Sequence, residues 1–158
     1  MQLLPMTLTV AAIGERDAAD WLDMRRLLWP GHGAIAHGNE MRELAASPGF
    51  AAFIARDDEG RAVGFAEVYT RPFANGCESR PVPFLEGIWV APPARNSGVG
   101  SALLAAVEAW CRRRGFTELG SDAAIENIDS HRAHAAWGFA ETERVVYFRK
   151  ALSDTGRS

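Results

Sequence analysis

The sequence predicts an α/β chain of the α+β kind built on a mixed sheet, and two observations predict it. Short β-patterned runs with turn signals dominate the first half, and a strand–helix–strand–helix–strand order dominates the second. The junction VAPPARNSGVGSALL, where an apolar run stops at Pro92-Pro93, turns through Gly98 and Gly100 and opens an amphipathic helix, is the hinge between the two halves.

In chain order, residues 7–13 are patterned as a strand. Residues 17–29 place Trp21, Met24, Leu27 and Leu28 at helical spacing, and Pro30-Gly31 stops that helix. Residues 30–38 read as a loop rich in Gly and His, and residues 39–46 as a short helix before Ser47-Pro48-Gly49. Residues 50–56 and 63–70 flank Asp57-Asp58-Glu59-Gly60 as a hairpin. After a second turn at Asn75-Gly76, residues 84–90 form a further strand. The helix over 98–113 carries Leu103, Leu104, Val107, Trp110 and Cys111 on one stripe. Arg112 to Arg114 complement its C-terminal dipole and Gly115 caps it. Residues 117–121 read as a strand, 129–137 as a helix and 144–150 as a last strand.

The chain has 158 residues, enough for one domain, and no linker or repeat divides it. Residues 1–152 are read as that domain and 153–158 as a flexible polar tail; Met6 is a candidate original start. A net charge of −3 argues against a nucleic-acid binder and suits a cationic ligand. No apolar run approaches the length that spans a membrane, and Met1-Gln-Leu-Leu-Pro5 is too short for a signal peptide, so a cytoplasmic protein is expected. Cys77 and Cys111 lack metal-ligand spacing, His32 and His37 are too sparse for a metal site, and two isolated thiols fit a reducing compartment. Trp21, Trp110 and Trp137 sit at core spacings, and Trp89 alternates with Leu85 and Gly87 as core or interface.

The Arg95-x-x-Gly98-x-Gly100 turn is neither a P-loop, since no Gly-Lys-Ser/Thr follows, nor the dinucleotide fingerprint, since a third glycine is missing. Its glycines allow close approach of backbone to a pyrophosphate, and the new helix adds its dipole. Further on come Asn127, Ser130, His131, His134 and Gly138-Phe139. With the Arg-x-x-Gly-x-Gly turn, these resemble the GNAT superfamily of acetyl-CoA-dependent N-acetyltransferases. The resemblance implies a GNAT fold, a central mixed sheet flanked by helices on both faces. It also implies acetyl-CoA as acetyl donor, with no metal. It narrows to aminoglycoside 6′-N-acetyltransferases on the pieces LWPGHG, FANGCESRPVPFLEGIWV, SDAAIENIDSHRAHAAWGF and ETERVVYFRK, which cover most of the chain.

The residues themselves state what the chemistry needs. An amine with a pKa of about 9 must lose a proton before it attacks a thioester, at a cost of roughly 2–3 kcal/mol. Glu86 stands inside an apolar strand, where a charge is costly unless paired or set in a cleft, and Asp122 ends a strand, where ligands bind in open sheets. Either is a candidate base, directly or through water. Glu78 and Glu143 are further acids open to two readings, substrate contact or solvated surface.

The resemblance implies the remaining roles. Trp29 and Phe73 line the drug pocket, the second standing where relatives often have tyrosine, and Glu86, Asp122 and Glu143 hold ammonium groups. Ile88, Trp89 and Val90 offer strand backbone to the pantetheine and acetyl carbonyl, with the Val90 N–H as oxyanion donor. Arg95, Asn96, Ser97, Gly98, Val99, Gly100 and Ser101 take the pyrophosphate, and Asn127 the pantetheine side. His134 replaces a tyrosine that in many members protonates the leaving thiolate. Asn96 and Ser97 depart from a more basic turn. The reaction implied is direct attack by a 6′-amine on acetyl-CoA. Neither cysteine suggests an acyl-enzyme: Cys111 lies on an apolar stripe, and Cys77 has no His or Lys beside it. The same acids fit a polyamine, and an acetyl-CoA-binding module without turnover is the reading of another class. The apolar run 144–150 is suited to a shared sheet in a homodimer.

Overall fold

The computed structural model describes residues 7–154; the stretch through Met6 and the last four residues of the polar tail lie outside the described residues. Four antiparallel strands stand in chain order: β1 (Thr9–Ala12), β2 (Phe50–Arg56), β3 (Ala62–Arg71) and β4 (Val82–Val90). A parallel bridge from Phe84 to Gly120 makes the sheet mixed. The β2–β3 turn closes because Asp57 Oδ1 accepts from the N–H groups of Glu59 and Arg61, an Asx-type turn.

Alternation along β2 sends successive side chains to opposite faces, and each face has its own helices. On one, α3 (Val99–Arg113) buries Val99, Leu103, Leu104, Val107 and Cys111 against Phe53, Ala55, Ala66, Val68 and Leu85. Each fully buried aliphatic side chain there contributes roughly 1.5–3 kcal/mol. On the other face, α1 (Ala18–Leu28) and α2 (Ala34–Ala45) set Trp21, Met24 and Met41 over Ala52, Ile54 and Phe65. A last helix, α4 (Ile128–Ala136), starts at Asn127, whose side-chain oxygen accepts from the Ser130 N–H.

Four expectations are corrected. Helix α2 begins at Ala34 rather than near residue 39, because extended Gly33 serves as its N-cap and His37 and Met41, four apart, are its buried face. Leu27 is 63% exposed, since it falls beside the stripe formed by Trp21, Met24, Arg25 and Leu28. Residues 117–121 contribute only the bridge at Gly120, because Gly120 alone exchanges backbone hydrogen bonds with β4, its N–H donating to Pro83 O and its carbonyl accepting from the Leu85 N–H. Residues 144–150 form no strand: they run exposed, and a strand exists only where another edge pairs with it.

Candidate active site

The functional geometry follows from one irregularity in β4. Glu67 pairs with Gly87 and Val68 with Leu85, so Glu86 is the extra residue of a β-bulge. A bulge re-aims the side chain it inserts, and Glu86 is directed into a cavity of about 420 Å³ between α1, α2 and the sheet. Beyond the bulge the Ala91 N–H donates to Val63 O at 2.9 Å. Alternation then turns the Val90 N–H the other way, toward the edge that parts from residue 121 onward. That orientation suits the oxyanion role assigned to it.

Trp29 walls the cavity. Its ring meets Phe65 edge-on with centroids 6.2 Å apart, lies 4.8 Å below the Arg25 guanidinium, and presses so close to Gly87 that a Cβ there would fall 2.5 Å from the indole. Behind it is a buried polar knot that sequence reasoning missed. Arg25 (1% exposed) donates to the Glu67 carboxylate (2% exposed), which also accepts from Trp21 Nε1 at 3.1 Å. Arg25 Nη2 reaches Glu40 at 2.9 Å, and Arg25 Nε donates to His37 Nδ1 at 3.3 Å. An arginine N–H can only donate, so His37 carries its proton on Nε2 and donates to the Trp29 carbonyl at 3.1 Å. Burial pushes the Glu67 carboxyl above its ordinary range, opposed first by the charge of Arg25. His37, expected in a loop, is thus a fully buried structural residue. The available signal was the one that singled out Glu86: a charge inside an apolar run, here Glu67 in Val63–Val68.

Of the substrate residues predicted, the cavity joins Trp29 and Glu86; Phe73, Glu78, Asp122 and Glu143 do not line it. Glu86 is not a bare carboxylate. Arg71 at the end of β3 holds both its oxygens, Nε to Oε1 at 2.7 Å and Nη2 to Oε2 at 2.6 Å, and lies 3.6 Å over the Phe84 ring. Hydrogen bonding to Glu86 holds the Arg71 guanidinium above its ordinary range. Asp122 is exposed. Phe73 is 56% exposed, with the Arg80 guanidinium 5.5 Å from its ring centre. Glu78 is exposed, and its backbone N–H is held by Glu118. Glu143 lies in the exposed segment whose Thr142 packs on Gly76.

Around the predicted pyrophosphate turn, Asn96 (φ 62°) and Gly98 (φ 89°) both occupy the left-handed region, which asparagine and glycine tolerate best. Ser97 Oγ donates to the Ala94 carbonyl, and Arg95 Nε donates to Val90 O at 3.0 Å. The first N–H groups of α3 therefore project from a tightly folded exposed loop, the arrangement that binds anions. Ile88, Trp89, Val99, Gly100 and Ser101 flank that path on β4 and α3. His134 is engaged with Ser121 Oγ at 2.7 Å. Cys111 is buried, its thiol pushed up to about 11 by desolvation, and burial also raises Cys77. Among the described residues no group of His, Cys, Asp and Glu is arranged to hold a metal, and no helix is long and apolar enough to cross a membrane.

Residues 21–139 match the family model of the acetyltransferase (GNAT) family. An aminoglycoside N(6′)-acetyltransferase type 1 from Serratia marcescens is 53% identical over 84% of this chain and 91% of its own length. The crystal structure of the aminoglycoside 6′-N-acetyltransferase AAC(6′)-Ih from Acinetobacter baumannii superposes with a TM-score of 0.86 at 41% identity, covering 93% of this chain and all of that one. AAC(6′)-Iy in complex with the bisubstrate analogue CoA-S-monomethyl-acetylneamine gives 0.87 at 41% identity over 92% of this chain and 99% of its own. A GNAT-type sheet, the glycine turn that opens α3 and these relatives agree, and the chain belongs to the GNAT acetyltransferase family, beside the aminoglycoside 6′-N-acetyltransferases.

Proposed function

We infer that this chain transfers acetyl from acetyl-CoA to the 6′-amine of an aminoglycoside. The observation that carries the reading is the bulged Glu86 in an indole-walled cavity, beside an open strand edge that leads to the anion-binding turn. The turn 95–101 takes the pyrophosphate. Open backbone at Ile88 to Val90 aligns the pantetheine and polarises the thioester. Asn127 meets the pantetheine side with its amide N–H₂, its oxygen being spent on the α4 cap.

The acids meet the drug. An aminoglycoside arrives as a polycation, and Glu86, Asp122 and Glu143 attract its ammonium groups, with Trp29 as the apolar wall of the cavity and Phe73 and Glu78 meeting the drug outside it. Because Arg71 occupies both Glu86 oxygens, Asp122 is the freer acceptor for the first proton, passed through water, that turns the bound ammonium into an amine. The amine then attacks the thioester directly, with no acyl-enzyme. Residues 1–152 act as one catalytic domain. The exposed run Val146, Tyr147, Phe148 and Leu152 supports a homodimer, in which a second copy pairs with the unpartnered segment 144–150. Use of acetyl-CoA and two free thiols support a cytoplasmic location.

The test is coenzyme A release from acetyl-CoA with neomycin and, in parallel, paromomycin, which differ in a 6′-amine against a 6′-hydroxyl. Turnover with neomycin alone is expected. Equal turnover overturns the 6′ assignment, and none with either overturns the aminoglycoside reading. Sedimentation equilibrium tests the dimer, which a monomer at micromolar concentration overturns.

A further inference from the structure

His134 stands on α4, and its hydrogen bonds fix which way it can move a proton. Nδ1 lies 2.7 Å from the Ser130 carbonyl of the preceding helical turn, and Nε2 lies 2.7 Å from Ser121 Oγ. A carbonyl oxygen only accepts, so a contact that short requires the proton on Nδ1; Ser130 Oγ, at 3.3 Å, is a secondary neighbour. Nε2 of the neutral ring is then a lone pair, and Ser121 donates its hydroxyl proton to it. The Trp137 and Phe139 rings lie beside the imidazole, tilted to it, with centroids 5.7 and 5.1 Å away. A hydroxyl, an imidazole base and a carbonyl that orients the base form the arrangement by which proteins activate an oxygen. Ser121 is the residue after Gly120, where the parallel bridge to β4 ends, and the residue before Asp122. Ser121 is half-buried at that point of the chain, its hydroxyl held by His134.

We propose that Ser121 and His134 form a proton relay for the transfer step: the pair takes the second proton of the attacking nitrogen and returns it to the departing sulfur. The inference rests on the acetyltransferase reading above. The amine nitrogen forms the new C–N bond and gives a proton to Ser121 Oγ, whose own proton passes to His134 Nε2. The C–S bond breaks, and the thiolate takes a proton from Ser121 as Nε2 returns its own. Nitrogen loses one proton, sulfur gains one, and the pair ends as it began, so no external acid or base enters. Asp122 deals with the earlier proton of the ammonium. His134 thus acts as acceptor first and as donor second.

The test compares wild type, Ser121→Ala, Ser121→Thr and His134→Gln by coenzyme A release with neomycin. Loss of a positioned acid–base group lowers kcat on the order of 10²–10⁴-fold. That loss is expected in Ser121→Ala and His134→Gln, with KM for both substrates within about threefold of wild type, while Ser121→Thr retains most of kcat. A kcat within threefold of wild type in Ser121→Ala, or a loss confined to KM, overturns the relay. Nitrogen-15 NMR of the histidines, with the His134 signals identified by their absence in His134→Gln or in a Ser130→Ala shift, reads the tautomer without activity. Protonated Nδ1 supports the relay and protonated Nε2 overturns it. If wild type turns over no aminoglycoside, the functional reading falls and the relay, which rests on it, falls with it; an active wild type with an unimpaired Ser121→Ala overturns the relay alone.

Discussion

Replacing Arg25 by methionine removes the cation from a site where it is 1% exposed and faces a Glu67 that is 2% exposed. Breaking a buried pair from one side leaves the other charge without compensation and costs about 3–5 kcal/mol. In Arg25→Met the Glu67 carboxylate keeps only Trp21 Nε1, and His37 Nδ1 loses its donor. For a chain of this size about 2–4 °C of Tm accompanies each kcal/mol, so the variant should melt roughly 6–20 °C below wild type. The double variant Arg25→Met, Glu67→Leu removes both charges and is expected to recover at least half of that loss. The assay is thermal unfolding followed by circular dichroism at pH 7. A single variant melting within 3 °C of wild type, or a double variant melting below both singles, would refute the claim that the pair is held by mutual compensation. The same variant frees the Trp29 wall, and KM for the aminoglycoside should rise in it.

Three further outcomes are expected. Gly100→Ala places a Cβ 2.7 Å from the Trp137 ring at the first turn of α3; overpacking of this kind costs about 1–3 kcal/mol, and calorimetric titration should show weaker coenzyme A binding, whereas unchanged affinity would detach this turn from the cofactor site. Asp17 is held below its usual 3.8, first by its hydrogen bond to Arg56. Its contribution is therefore complete above that value and is lost as pH falls through the lowered one, so Asp17→Asn should melt below wild type at pH 7, with the gap closing in acid; a gap that widens in acid would reverse the sign. Cys111, with its thiol at about 11 and buried, should resist alkylation at pH 8 in the folded protein and react on unfolding, measured by mass spectrometry.

Patterning made β2, β3, β4, α1, α3 and α4 legible within two residues at most boundaries: the strands, covered on both faces, read as apolar runs between turn residues, and α1 and α3, each with one buried face, read as helical stripes. The 34–38 turn of α2 was hidden: its exposed Ile35 and buried His37 invert the expected pattern, and the reason lies in Arg25, twelve residues away. Glu86 was legible as a misplaced charge. Its partner Arg71 was not, since an arginine at a strand end looks like any solvated residue until register brings the two together. The Ser121–His134 contact joins a strand end to a helix thirteen residues on, and no local spacing encodes it.

The bulge at Glu86 also limits how this strand can change over time. One residue without a cross-strand partner sets the parity of everything after it, so the Val90 side chain packs with the α3 core while Trp89 stays with the α1–α2 core. Substitutions along 82–90 act one side chain at a time. A single-residue deletion there would exchange inside for outside along the whole outer half of the strand. Diversification of this pocket is thus confined to replacement within β4, whereas gain and loss of residues belong to the loops that flank it.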